Sequence, residues 1–110
     1  MRLRKRLWSA LALTAVALLG GPALAQEYGD ASRGLTLALR VCAGCHGVRQ
    51  GENSTHPLAP AFYFIAEIRG MSAMALNVAL LSPHRDMPNI MLQPQDRADV
   101  IAYILTLKPK

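Results

Sequence analysis

The stretch Cys42-Ala43-Gly44-Cys45-His46 limits this chain more than any other feature. Two cysteines separated by two residues, on one turn of helix, can each form a thioether to one of the two vinyl groups of a porphyrin. The histidine that follows Cys45 then falls under the iron as a proximal ligand. Ala43 and Gly44 are small, so the backbone can lie close to the ring. Other chemistries use the same thiols. A thioredoxin-like redox pair needs a βαβ surround, and none is present. A structural zinc site needs four ligands, and there is no second cysteine pair. A structural disulfide needs only an oxidising compartment. The immediate His46, joined to the secretory start described next, favours a covalently attached c-type haem. A chain so committed must build its interior around a large, flat, apolar group.

Residues 1–25 have the pattern of a cleavable signal peptide. Arg2, Arg4, Lys5 and Arg6 form a positive start, and Leu7 to Leu19 is an apolar run. Gly20, Gly21 and Pro22 break that run, and Ala23-Leu24-Ala25 offers a small-x-small cleavage site. At a rise of about 1.5 Å per residue, the run from Leu7 to Leu19 falls short of a bilayer core of about 30 Å. No stable membrane insertion is therefore expected after cleavage behind Ala25. No Arg-Arg pair marks a twin-arginine signal. The expected destination is the periplasm. The full chain carries 12 Lys+Arg against 7 Asp+Glu. Four of the basic residues lie in the signal, so the mature chain is nearly neutral and no nucleic-acid partner is indicated.

Residues 26–110 are expected to form one domain, small for an unaided protein core. Asp30 or Ser32 can cap a first helix whose apolar face includes Leu35, Leu39 and Cys42. Gly34 inside that helix suggests close approach by another backbone. Gly47 is expected to end the helix after His46. Residues 48–60 read as loop, rich in Gly, Asn, Ser, Thr and Pro. Asn53-Ser54-Thr55 matches a glycosylation sequon, a match too common to carry weight. Phe62 to Arg69 suits a short helix, and Ser72 to Leu81 a better one, with Ser72 as cap and its methionines as core filler. Pro94 and Asp96 suit the start of a last helix. Val100, Ile101, Ile104, Leu105 and Leu107 form its apolar face, and Lys108 and Pro109 close it.

From residue 30 to residue 108 the chain resembles the small, exported, monohaem class I cytochromes c. The specific parts are Cys42–His46, Met87-Pro88 and the run Asp99-Val100-Ile101-Ala102-Tyr103-Ile104-Leu105. The resemblance implies an all-α fold in which short helices wrap one covalently bound haem and the N- and C-terminal helices cross. In that family the crossing lies at a glycine eight residues before the first haem cysteine, against an aromatic residue of the last helix. Gly34 and Tyr103 match those places. The family's proximal loop carries a proline whose carbonyl accepts the Nδ1–H of the haem histidine. Pro60 in Ala59-Pro60-Ala61-Phe62 matches it, with Pro57 the alternative. The family's distal ligand is a Met-Pro methionine in a turn-rich stretch, and Met87 matches, with His84 as rival. Cofactor contacts are thus expected from Cys42, Cys45, His46, Met87 and Pro60, and iron ligation from His46 and Met87. Leu58 or Phe62 should wall one side of the pocket, and Leu76 or Leu80 the other.

The resemblance further implies a one-electron carrier, not an enzyme, meeting a redox protein donor and a redox protein acceptor, as a monomer or as one subunit of a complex. Two alternatives use the same haem residues: a haem c subunit permanently bound to a periplasmic dehydrogenase, and a haem enzyme or gas sensor with an open iron position.

Overall fold

The computed structural model describes residues 29–110, so the expected signal peptide lies outside the described residues. Four helices make up the described part: α1 Ala31–Val41, α2 Phe62–Glu67, α3 Ala73–Leu81 and α4 Pro94–Thr106. Among the described residues there is no strand, and no helix is long and apolar enough to cross a membrane.

α1 starts where Asp30 caps it, its carboxylate accepting the Arg33 amide at 2.9 Å. Such a cap is worth about 1 kcal/mol. The face that α1 buries holds small residues, Gly34 and Ala38. Against it lies α4, which buries Val100, Ile101, Tyr103 and Ile104. The approach is close: a Cβ on Gly34 would stand 2.0 Å from the Asp99 carbonyl oxygen and 3.0 Å from Tyr103 Cβ. α1 and α4 therefore meet at Gly34 and Tyr103, and only a residue without a side chain fits there.

A polar lock that local patterning does not reveal sits beside this contact. Asp99 is 3% exposed. Its carboxylate accepts from the Asp30 amide at 2.7 Å, from Arg33 Nε at 2.8 Å and Nη2 at 3.2 Å, and from Gln95 Nε2 at 2.9 Å. A buried charge costs free energy unless it is paired and hydrogen-bonded, and this one is both. The Arg33 hydrogen bond holds the Asp99 carboxyl down to about 2.

The core is small: Ala38, Val48, Phe62, Ala66 and Leu76 join the four apolar residues of α4. α2 contributes Phe62 and Ala66. α3 is capped by Ser72, whose hydroxyl accepts the Ala75 amide at 3.1 Å, and it buries only Leu76. Met74 does not fill the core, being 72% exposed. The helix is apolar except for Asn77, which accepts from Arg97 Nε of α4 at 2.8 Å; with only Leu76 buried, Met74, Val78 and Leu81 are left outward.

α1 stops at Val41, before the position expected from Gly47. The amides of Cys42 and Ala43 both bond the Ala38 carbonyl, at 2.8 and 3.0 Å, which uses up the ladder. Gly47 is needed for a different reason than ending a helix. Its φ is not positive; instead a Cβ there would lie 2.0 Å from the Glu52 carbonyl oxygen.

Candidate functional site

Beyond α1, a separate turn, the attachment turn, carries the residues expected to attach haem. The Cys42 carbonyl accepts the amides of Cys45 at 3.1 Å and His46 at 2.9 Å, so Cys42, Cys45 and His46 are drawn onto one turn. Both thiols are half-buried and unpaired. Burial pushes the Cys42 thiol up.

His46 has one defined ring partner: Nδ1 lies 2.7 Å from the Pro60 carbonyl oxygen. A carbonyl can only accept, so Nδ1 carries the proton and Nε2 of the neutral ring keeps its lone pair. That is the tautomer a metal needs. The Phe62 ring stands 5.3 Å from the imidazole, centroid to centroid, tilted by 46°. The Phe62 amide reaches back to the Gly47 carbonyl at 2.8 Å and fixes the start of α2 beside the turn. Pro57, the alternative, is not the partner: the His46 ring meets the Pro60 carbonyl.

Met87 opens with Cys42 onto a cleft whose walls include Val41, Leu80, His84 and Ile90. The turn before it is closed by the Met87 amide, 3.3 Å from the His84 carbonyl. Asp86 takes φ 59°, a left-handed conformation that aspartate tolerates better than most residues. Met87 is half-buried there while His84 is exposed. Cys45 and His46 do not line this cleft, so the structure joins Met87 to the first cysteine and not directly to the histidine. Of the expected walls, Phe62 stands by His46 and Leu80 lines the Met87 cleft. Leu76 is buried in the core instead, and Leu58 is exposed.

Sequence patterning missed a set of polar residues that tie the loop 47–56 to the attachment turn. Glu52 Oε2 accepts the amides of Val48 and Arg49, both at 2.8 Å. These bonds hold its carboxyl below the usual range. Ser54 accepts the Gly47 amide at 2.9 Å, and Thr55 donates to the Gly44 carbonyl at 2.8 Å. The sequon hydroxyl is thus already engaged. The His56 amide donates to the Cys45 carbonyl at 3.2 Å, and Tyr103 donates its phenol to the Val48 carbonyl at 2.7 Å. A dense run of Ser, Thr and Glu just after the cysteine motif was the one available signal.

Two unpaired thiols, an imidazole whose Nδ1 faces a carbonyl and a thioether in an apolar cleft are the donor types that haem c requires. Helical fold and donor set together define a small class I c-type cytochrome. Comparison with known proteins agrees. A family model described as "Cytochrome c" matches residues 31–108. The chain is 38% identical over 80 residues to cytochrome c-552 of Bradyrhizobium diazoefficiens, an alignment covering 73% of this chain and 77% of that one. No solved structure matches at a significant level. The chain belongs to the cytochrome c family; it carries covalently bound haem c and is a haem-based electron carrier that works with redox partners.

Proposed function

We propose that this chain is an exported one-electron carrier whose haem is bonded through Cys42 and Cys45 and whose iron is held by His46 and Met87. The bond between His46 Nδ1 and the Pro60 carbonyl, 2.7 Å, is the observation that carries the reading. It fixes the ring's tautomer and makes Nε2 a stronger donor. Haem supplies the Fe(III)/Fe(II) couple. The chain supplies a stiff frame. Pro88 and the closed turn before Met87 restrict the distal loop, and Phe62 restricts the imidazole. A frame that keeps both ligands in place in both oxidation states needs little rearrangement per electron. A thioether ligand also raises the potential. Residues 1–25 act as a signal cleaved after Ala25, which delivers the domain 26–110 to the periplasm.

Replacing Met87 with alanine tests the distal assignment. The haem should stay attached while the iron becomes open to carbon monoxide. The Met71, Met74 and Met91 alanine variants should stay closed. If His84→Ala opens the iron and Met87→Ala does not, the ligand pair is bis-histidine.

One observation favours a second reading. Met74, Val78 and Leu81 form an exposed apolar stripe on α3, a surface that suits a haem subunit held permanently by a dehydrogenase. Gel filtration of a gently prepared periplasmic extract separates the two: a free carrier elutes as a small haem protein, a subunit with a much larger partner.

A further inference from the structure

The loop between the attachment turn and α2 is fastened to that turn before it delivers Pro60. On the outgoing side, Glu52 Oε2 collects the Val48 and Arg49 amides, both at 2.8 Å, and Ser54 collects the Gly47 amide at 2.9 Å. On the return, Thr55 donates to the Gly44 carbonyl at 2.8 Å and His56 donates its amide to the Cys45 carbonyl at 3.2 Å. Two consecutive loop residues therefore grip two consecutive carbonyls of the attachment turn. The chain continues through a tight turn, in which the Ala59 amide meets the His56 carbonyl at 3.1 Å, and Pro60 then arrives at His46 Nδ1. The backbones lie so close at Gly47 that no side chain would fit between them.

This geometry has an electronic consequence. The nearer and better aligned the Pro60 oxygen is to Nδ1–H, the more electron density Nε2 can give. A stronger donor stabilises the oxidised metal and lowers the potential. Pro60 has no amide of its own with which to fasten its peptide, so its place depends on what holds the loop before it.

We propose that Glu52 and Thr55 are positioning residues for His46: through the loop 47–60 they hold the Pro60 carbonyl against Nδ1 and so set the donor strength of Nε2. The proposal rests on His46 being the proximal ligand. Both side chains are exposed, so water competes for their partners and their removal shifts the potential without abolishing haem attachment.

The test uses the full chain, exported and loaded with haem. Thr55→Val removes the hydroxyl at nearly constant shape, and Glu52→Ala removes the acceptor. Thr55→Ser and Glu52→Gln restore a hydroxyl and an oxygen acceptor. Each of the first pair should raise the reduction potential and speed solvent exchange of the His46 Nδ1 proton, followed by NMR in the reduced state. The second pair should stay near the parent in both. A loop that only stabilises the fold would lower the melting temperature with potential and proton exchange unchanged, and that result overturns the proposal. Should Glu52→Ala fail to accumulate, the Thr55 pair decides alone. Failure of His46 ligation is distinguishable, because the unaltered reduced protein would then lack the strongly ring-current-shifted imidazole proton signals of a histidine bound beneath a porphyrin; that outcome overturns both readings.

Discussion

Asp99 shows what one side chain contributes when two of its three partners come from the far end of the described chain. The Asp30 amide, Arg33 and Gln95 all donate to it, and its carboxyl lies at about 2 against an ordinary 3.8. The folded form therefore binds its proton less readily than the unfolded form. Its stabilisation is fully present above about pH 4 and is lost as the pH falls through about 2. Acid titration of thermal stability should show a loss in that window, and Asp99→Asn should flatten it while costing roughly 1–3 kcal/mol at neutral pH. Tyr103 is a second single-residue case. Its phenol meets the Val48 carbonyl at 2.7 Å, in a buried bond between α4 and the loop. Tyr103→Phe leaves that carbonyl unpaired and should cost about 1–3 kcal/mol in denaturant unfolding. Neither partner was legible in the sequence. A hydrogen bond across 69 or 55 positions leaves no periodicity and no local cap to read.

Among the elements, α1, α3 and α4 were legible because each carries its own punctuation: Asp30, Ser72 and Pro94 stand where the structure starts them. Gly34 was legible as a close contact because a helix accepts a glycine at a cost, and the contact with Asp99 and Tyr103 offsets it. Gly34→Ala should force α1 and α4 apart and destabilise by about 1–3 kcal/mol, read by thermal unfolding of the haem-loaded protein. The end of α1 was not legible. Gly47 has the composition of a helix stop, but its place is set by the backbone at Glu52, a contact made by a loop with no pattern of its own. α3 misled for a related reason. All its residues but Asn77 are apolar, so composition cannot say which stripe is buried.

At the scale of the whole molecule, a core of mostly small and medium side chains is stretched over 82 described residues, from 29 to 110, with Phe62 and Tyr103 its only aromatics. So small an interior is what a chain built around a covalent apolar group can accept. Replacing both Cys42 and Cys45 with alanine should therefore cost the fold as well as the colour: a stable, folded protein without haem would contradict the account. The Cys42–His46 motif and the contact of His46 with the Pro60 carbonyl were expected from short local signatures; a cleft that Met87 shares with Cys42 and not with His46, and the clasp from Glu52 to His56, were not. The most direct measurement is the optical spectrum of the purified mature protein in both oxidation states. The account predicts a low-spin c-type spectrum when reduced and a methionine–iron charge-transfer band when oxidised. A spectrum without that band, whether high-spin or bis-imidazole, would contradict His46 and Met87 as the ligand pair.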